Sequence, residues 1–249
     1  MSEPAPSKPF IHLRLHTEFS ISDGLVTIPA LISRLQQLHM PAVAITDVSN
    51  LFGLIKFYSG AAKSGIKPIC GVDVLVENEE GVRSRIVLLV KNRTGYLNLT
   101  NIISKLYTDS ETHGEPVLAI DSFSGVLEGL IALSGAQHGD IGSALLGDDF
   151  EQAKSLLSKW QILFPDSFYL ELQRVGKADE EAYIERAVNL AIETQCPVVA
   201  TNDVRFIDQE DFDAHEVRVC INERRTLDDS RRPHNYTEQQ YLKSSAEMA

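Results

Sequence analysis

The sequence predicts an α/β fold built on a mostly parallel sheet. Short apolar runs of strand length alternate along the chain with segments whose apolar residues recur at helical spacing. Such alternation requires βαβ crossovers, which leave successive strands parallel. The 249 residues are 43% apolar, which suffices to bury one large α/β core or two small ones. About seven strands are expected, and they could form either an open sheet or a barrel.

Apolar periodicity defines the elements of the first half of the chain. Residues 10–16 (FIHLRLH) alternate with period two, so we expect a strand whose odd-numbered apolar residues share one face. Thr27 is the expected N-cap of a first helix, with Pro29 in its first turn. Further along, we expect a strand at 41–46, a helix at 49–64, strands at 66–76 and 85–90, and a helix at 96–107.

The second half continues the alternation after a stretch without clear periodicity at 108–128. We expect strands at 130–133, 167–173 and 198–201, and helices near 140–146, 150–163, 178–194, 208–219 and 237–248. The polar, Pro-rich residues 1–9 are expected to be a disordered tail, and residues 10–249 a single domain. Because the last helical pattern continues to Ala249, we expect the chain to be a fragment of a longer protein.

Composition excludes several classes of function. The formal net charge of −12 and the pI of 5.0 argue against direct binding of nucleic acid, which favours a basic face. The sequence has no apolar run long enough for a membrane span and no signal-peptide h-region. Cys70, Cys196 and Cys220 stand alone in apolar surroundings, which is typical of buried, reduced thiols. These features predict a cytoplasmic protein without membrane contact.

Polar residues gather where the predicted strands end, the edge at which parallel α/β folds place their functional groups. The candidates are Arg14, His16, Asp23, Asp47, Asp73, Arg85, Asp203 and Arg205. Several carboxylates converging on one sheet end cannot all stay charged without compensating cations. Either a pair of metal ions or the arginines could supply that charge. GxSxG, GxGxxG and Walker patterns are absent, which argues against serine hydrolase, dinucleotide and nucleotide sites.

Seven segments of the chain resemble one protein family in order and spacing, from about residue 10 to the end. They are HLRLHTEFSISDG, AVAITDVSNLFGLIKFY, GIKPICGVDV, KNRTGYLNL, ALSGAQHGDIG, FYLELQRVG and VVATNDVRFI. Together they resemble the N-terminal PHP (polymerase and histidinol phosphatase) domain of bacterial DNA polymerase III alpha subunits. The resemblance implies the PHP fold, a distorted seven-stranded β/α barrel.

Metal-binding members of this family hold up to three divalent metals at the barrel mouth, and the resemblance implies that this chain has lost most of their ligands. Family ligands are replaced at Arg14, Val48, Arg85, Ala136 and Arg205. His16 has lost the other histidine of its pair, and Asp73 is shorter than the family's glutamate. Asp23 and Asp203 are retained, as is Asp47 beside the lost histidine. We expect no metal; if one binds, its ligands would be His16, Asp23, Asp73 and Asp203.

The three arginines at former ligand positions admit three interpretations. Their guanidinium groups could replace the metals and pair with Asp23, Asp73 and Asp203, which is the interpretation we favour. They could instead be unrelated surface arginines. A third possibility is that the arginine cluster binds phosphate or sulfate.

The resemblance also implies a function for the whole protein and a role for this part of it. The parent would be a replisome component, a DNA-directed DNA polymerase (nucleotidyltransferase), with catalytic residues and Mg²⁺ outside this chain. The domain itself would be catalytically inactive, support the polymerase and dock the epsilon proofreading exonuclease, while DNA would be bound by other domains. The alternatives are an active metal-dependent phosphoesterase, such as a 3′–5′ exonuclease or pyrophosphatase, and a free-standing histidinol-phosphate phosphatase.

Overall fold

Strands and helices alternate through the computed structural model, which describes residues 9–21, 23–108, 115–123, 127–229 and 231–249. Residues 1–8 of the predicted disordered tail therefore lie outside the described residues. The strands are β1 (Ala42–Ile45), β2 (Lys67–Glu77), β3 (Arg83–Val90), β4 (Val117–Ala119), β5 (Leu130–Leu133), β6 (Phe168–Gln173) and β7 (Val198–Thr201). The helices are α1 (Ile28–Gln37), α2 (Leu54–Lys63), α3 (Arg93–Thr108), α4 (Asp140–Leu146), α5 (Phe150–Leu163), α6 (Glu180–Thr194) and α7 (Phe212–Glu223).

The described strands form one mixed sheet in the order β1-β2-β3-β5-β6-β7, with β4 paired to β2. The pairings β1–β2, β2–β4, β5–β6 and β6–β7 are parallel. The β2–β3 hairpin and the β3–β5 pair are antiparallel. The prediction of an α/β fold with mostly parallel strands is therefore confirmed.

The predicted first strand is an irregular extended segment that links the two ends of the sheet. On one side the amides of Ala44 and Thr46 donate to the carbonyls of His12 and Leu15, both at 2.8 Å. On the other side the amide of His16 donates at 2.9 Å to the carbonyl of Val204, just beyond β7. The sheet therefore curls into the predicted distorted barrel. The prediction of a regular strand at residues 10–16 is wrong, because the segment forms only an isolated bridge, between Leu15 and Val204. Its polar residues His12, Arg14 and His16 are buried, whereas Ile11 and Leu13 on the alternate face are half-buried.

Two other element predictions also need correction. The helix predicted from residue 49 begins at Leu54, after a turn in which Ser49 has a φ of 53°. The helix predicted at 237–248 is not formed. Instead, the amide of Arg205 donates to the carbonyl of Gln240 at 2.8 Å, and the amide of Leu242 donates to the carbonyl of Phe206 at 3.1 Å. These tertiary hydrogen bonds hold the segment extended and override its local helix propensity.

Apolar packing divides the interior into layers. The larger core fills the space between the sheet and helices α3–α6, where Trp160 stacks on Phe168 at a ring distance of 6.0 Å. A second core packs α1 and α2 against β1. Inside the barrel, Ala44, Val87 and Leu133 form a small apolar layer with Leu89. This layer lies between the two ends of the barrel, so polar side chains at one end are not in contact with those at the other.

Two properties of the described chain bear on the predictions from composition. Cys70 is half-buried and Cys196 and Cys220 are buried, and all three thiols are free. None of the described helices combines the length and the apolar character that crossing a bilayer requires.

Candidate functional site

The candidate site lies inside the barrel at the carboxyl ends of its parallel strands. On β2, Val72 and Val74 pack into the core under the helices, so strand alternation turns Asp73 toward the barrel interior. On β6, Phe168 and Leu170 pack into the same core, and the alternation turns Glu171 inward. Strand geometry thus places two carboxylates in a closed interior, where each requires a compensating charge.

Arg14 occupies the centre of the site and contacts three buried carboxylates. Its Nη2 donates to Oδ2 of Asp73 at 2.6 Å, and its Nη1 donates to Oε2 of Glu171 at 3.2 Å. Its Nε lies 3.3 Å from Oδ1 of Asp203. At most 1% of any of these four side chains is exposed. Ion pairs with three buried carboxylates hold the Arg14 guanidinium group in one position and compensate the charge of those carboxylates.

Arg205 forms a second centre beside the first. Its Nη2 donates to Oδ1 of Asp203 at 2.8 Å, and its Nη1 forms ion pairs with Asp23 and contacts the ring of His16. The ring nitrogens of His16 lie 2.8 Å from Asp23 and 3.3 Å from Asp73. Burial and Arg205 oppose protonation of His16, yet the two aspartates raise its pKa above the ordinary value. His16 thereby joins the two centres. We call this set of charged residues, Arg14, His16, Asp23, Asp73, Glu171, Asp203 and Arg205, the ionic network.

Arg85 and Lys177 lie at the edge of this network. Nη1 of Arg85 is 3.5 Å from Oδ1 of Asp73 and 2.8 Å from Glu115. Its backbone lies so close to Gly135 (φ 76°) that a Cβ there would be 2.2 Å from the Arg85 carbonyl oxygen. Nζ of Lys177 is 3.9 Å from Asp203. Both cations are partly exposed, so they mark the boundary between the network and solvent.

The pKa values of the aspartates reflect these neighbours. Burial alone would raise the pKa of Asp73, but Arg14 and Arg85 hold it well below its usual range. In the same way, burial is outweighed by Arg205 at Asp23, and by Arg205 and Arg14 at Asp203, so both pKa values are lowered. All three carboxylates are therefore ionised at neutral pH, and their charge is balanced by fixed side-chain cations.

Glu171 differs from the aspartates, because burial raises its pKa despite the attraction of Arg14. Its Oε1 accepts hydrogen bonds from Thr201 and from Nε2 of Gln173, the latter at 3.0 Å. Burial also lowers the pKa of Lys177 despite the nearby Asp203. Burial therefore disfavours the charged form of both Glu171 and Lys177.

A C-terminal strap, residues 236–242, covers the network. The hydroxyl of Tyr236 donates to Asp23, and its ring lies 5.7 Å from the guanidinium carbon of Arg205. Gln240 is fully buried and its Nε2 donates to Oδ2 of Asp203 at 2.7 Å. The strap thus covers the network on the side of Asp23, Asp203 and Arg205.

The protein-family comparison agrees with this architecture. Residues 12–175 match the family model described as the PHP domain.

The chain belongs to the PHP domain family.

Similar chains extend the match beyond those residues. DNA polymerase III subunit alpha of Pseudomonas aeruginosa is 52% identical over 242 residues, which cover 96% of this chain and 21% of that protein. The subunits alpha of Vibrio cholerae and Escherichia coli K12 are each 46% identical over 250 residues, covering 100% of this chain and 21% of theirs. This PHP chain therefore spans about a fifth of the length of the curated relatives it matches.

Solved structures share the PHP fold at low sequence identity. A Bifidobacterium adolescentis protein, provisionally assigned as a metal-dependent phosphoesterase, has a TM-score of 0.54 at 14% identity. The aligned region covers 79% of this chain and 88% of that one. An amidohydrolase from Chromobacterium violaceum has a TM-score of 0.54 at 15% identity, covering 84% and 96% of the two chains. These likenesses show the barrel fold alone.

Most of the predicted site residues of this PHP domain come together, and three do not join the ionic network. Asp47 accepts hydrogen bonds from Thr17 and Ser20 and holds the turn after residue 16. Val48 forms an isolated bridge with Asp73 but offers no ligand atom. Ala136 begins a short 3₁₀ turn after β5 and packs into the core under the helices.

The structure also adds residues that the sequence alone did not reveal. They are Glu115, Glu171, Lys177, Tyr236 and Gln240. Only Glu171 had a usable signal, because it follows Tyr169 at strand spacing on the inward face of β6. The others depend on loop and strap contacts between residues far apart in the sequence.

The residues present do not fit the metals that the PHP family implies. Each aspartate that could ligate already faces a guanidinium group, which repels cations and cannot lose its proton. Among the described residues, no group of three or more His, Cys, Asp or Glu side chains has an arrangement that could hold a metal ion. A phosphate at this position is equally disfavoured, because Arg14, Arg85 and Arg205 each contact carboxylates that would repel it.

Proposed function

We propose that this PHP chain is the N-terminal domain of the alpha subunit of a bacterial replicative DNA polymerase III. Its similarity to three such subunits over at least 96% of its length supports this origin. The parent would act in the cytoplasm, within the replisome, as a DNA-directed DNA polymerase with its Mg²⁺ bound in other domains. DNA would be bound by those domains, since this chain carries a net charge of −12.

Within that protein, the domain is a catalytically inactive scaffold with a degenerate metal site. The observation that carries this proposal is the ionic network, in which Arg14 and Arg205 lie between the aspartates and the strap covers them. A phosphoesterase of this kind needs a metal to activate water and an open position for the substrate. Arg14, Asp73 and Asp203 are almost fully buried and paired with one another, which leaves no open position for a metal or a substrate.

Gene structure tests the parent assignment. We expect the reading frame that encodes the chain to continue past Ala249 into polymerase domains. A stop codon directly after Ala249 would contradict the assignment and would revive the free-standing histidinol-phosphate phosphatase.

Docking of the epsilon proofreading exonuclease is the second part of the proposed role. A domain without its own chemistry can serve the parent by supporting the polymerase and holding this subunit near it. Size-exclusion chromatography of the chain mixed with purified epsilon subunit tests this role. We expect the two to elute together; separate elution at concentrations well above micromolar would remove docking from the proposal.

An active metal-dependent phosphoesterase is the second candidate, favoured by the convergence of His16, Asp23, Asp73 and Asp203 in a fold shared with a provisionally assigned phosphoesterase. Metal analysis of the chain purified without chelator separates the candidates. The scaffold proposal expects no stoichiometric zinc, manganese or iron and no release of nucleotides from a 3′-labelled oligonucleotide. Two or more tightly bound metals per chain, together with nuclease or pyrophosphatase activity, would favour the enzyme.

A further inference from the structure

An open apolar groove of about 900 Å³ lies at the end of the barrel opposite the ionic network. We call it the basal groove. It lies near the start of β2 and the end of β3, and the inner apolar layer separates it from the charged end. Its floor is formed by Leu13, Ile69, Leu89, Ile131, Tyr169 and Val199. Such a cavity has the size and the apolar lining that binding sites commonly have.

Helix α2 extends the apolar surface beyond the groove. Ile55 is 72% exposed and Tyr58 is 54% exposed, and both line the groove at its edge. They are three residues apart on one helix face, next to the half-buried Tyr96 of α3. A contiguous apolar and aromatic patch of this kind is characteristic of a protein-binding surface, whereas single exposed apolar residues are ordinary.

Three cations line the same groove, at the base of the β2–β3 hairpin. Lys67 begins β2, while Lys91 and Arg93 follow the end of β3, and all three are exposed. Within the described chain, none of the three forms an ion pair with a carboxylate; Nζ of Lys91 donates to Oγ of Ser167 at 3.2 Å. Unpaired cations are notable on a protein with a net charge of −12, where acidic partners are plentiful.

Apolar floor and basic rim together specify the chemistry of the occupant. Apolar side chains of an occupant would cover the half-buried aliphatic residues of the groove and so remove them from water. Carboxylates beside those side chains would pair with the exposed lysines and arginine, at a partly desolvated rim where ion pairs are stronger than in open solvent.

We propose that the basal groove binds a short segment of a partner protein, in which apolar anchor side chains are flanked by aspartate or glutamate. The apolar anchors fill the floor, and the acidic residues lie against Lys67, Lys91 and Arg93. This proposal goes beyond the exonuclease docking proposed above, because it specifies a groove and the chemistry of the segment that the groove binds. The peptide test below can fail while the epsilon subunit still co-elutes with the chain.

Single-stranded nucleic acid is a weaker match to the same surface. Tyr58, Tyr96 and Tyr169 could stack bases, and the cations could contact phosphates. However, most of the floor is aliphatic and offers no hydrogen-bonding partner to the polar edges of a base. The surrounding chain also repels a phosphate backbone.

Panning a phage-displayed library of random 16-residue peptides on the 249-residue chain tests the proposal. We expect the enriched peptides to combine two or more apolar residues with neighbouring Asp or Glu. Synthetic copies should lose at least tenfold in affinity for Lys67→Glu/Arg93→Glu and for Ile55→Glu. Matched controls are Lys63→Glu/Lys105→Glu, with the same change in charge, and Ile162→Glu, which alters an equally exposed isoleucine on α5. The controls should bind as the unaltered chain does.

Several outcomes would overturn the proposal. Failure to enrich any peptide would do so, as would peptides that bind the rim variants and the controls equally well. Tighter binding of a 15-residue oligo-dT or of dodecanoate than of any selected peptide would assign the groove to nucleic acid or to a lipid. Concentration-dependent dimers that Ile55→Glu abolishes would assign it to a second copy. Peptides that bind the isolated 249-residue chain but not the full-length parent protein would show that another domain of the parent occupies the groove.

Discussion

Arg14 donates to the carboxylate of Asp73 across 2.6 Å, and both side chains are sealed from water. At neutral pH each charge of this pair depends on the other, because the interior offers no solvent to replace a lost partner. The pair shows how the barrel can dispense with metal ions. A covalently attached cation neutralises the carboxylate permanently and leaves no exchangeable ligand.

Removing Asp73 should destabilise the fold strongly. We expect Asp73→Ala to lower the free energy of unfolding by about 3–5 kcal/mol, because it leaves Arg14 with fewer buried anionic partners. Urea unfolding monitored by circular dichroism measures the change. Glu181→Ala is the control: it breaks a pair with Arg174 in which both side chains are more than two-thirds exposed, and it should cost less than about 1 kcal/mol. Equal unfolding midpoints for Asp73→Ala and the unaltered chain would contradict the network.

The pair should also show strong coupling in a double-mutant cycle. Arg14→Met leaves carboxylates unpaired, and Asp73→Ala leaves a guanidinium under-compensated, so each single variant includes a penalty that the double variant avoids. We expect the double variant to be more stable than the sum of the single changes predicts, by about 1–3 kcal/mol. Strict additivity would mean that the two groups do not interact.

The strap should stabilise the network through the hydroxyl of Tyr236. We expect Tyr236→Phe to lower the free energy of unfolding by about 1.5 kcal/mol, because the lost hydrogen bond is to the ionised Asp23. Tyr241→Phe makes the same chemical change at a hydroxyl that donates to the exposed Glu247. This control should cost clearly less. If both variants melt alike, Tyr236 does not support the network.

Stability should fall in mild acid because of His12. Burial lowers its pKa to about 4, and the hydrogen bond between Nε2 and the carbonyl of Lys243 opposes that shift only in part. The unfolded chain binds this proton near pH 6.5 and the folded chain only near pH 4, so stability is full above pH 6.5 and is lost as the pH falls toward 4.

His12→Gln keeps an amide donor for Lys243 and removes this titration. Urea unfolding at pH 7 and pH 5 should show a loss about 2 kcal/mol smaller in the variant than in the unaltered chain. His39→Gln, which makes the same substitution at an exposed histidine, is the control for the substitution itself. An identical pH dependence in His12→Gln would contradict the neutral, buried state of His12.

Strand-end reasoning found the aspartates and arginines of the site because each follows or lies within a short apolar run. The polarity of β2 and β7 alone brings Asp73 and Asp203 to the same barrel end. Periodicity alone could not indicate that Arg14 lies between them, because the segment around it forms no regular strand. The expectation that arginines pair with the aspartates of the site comes from the family resemblance. Periodicity also could not place Asp47, whose carboxylate is used by Thr17 and Ser20 instead.

The strap shows why local patterns fail at the end of the chain. Residues 237–248 have helical propensity, but parallel bridging between Phe206 and Tyr241 fixes them in an extended path. A single sequence does not contain the information that these two residues meet. Gln240 and Tyr236 were missed for the same reason, since their partners lie more than thirty residues away.

The position of the strap limits how far the chain can be truncated for expression. The family match ends at residue 175, yet Asp203, Arg205, Tyr236 and Gln240 all lie beyond it. Trimming the polypeptide at the matched boundary would remove β7, α6 and α7, together with Asp203 and Arg205 of the ionic network, Lys177 at its edge and the strap that covers it. An expression boundary chosen from the family model alone would therefore yield an opened barrel whose interior carboxylates have lost part of their compensating cations and are exposed to water. A workable boundary has to fall after Leu242.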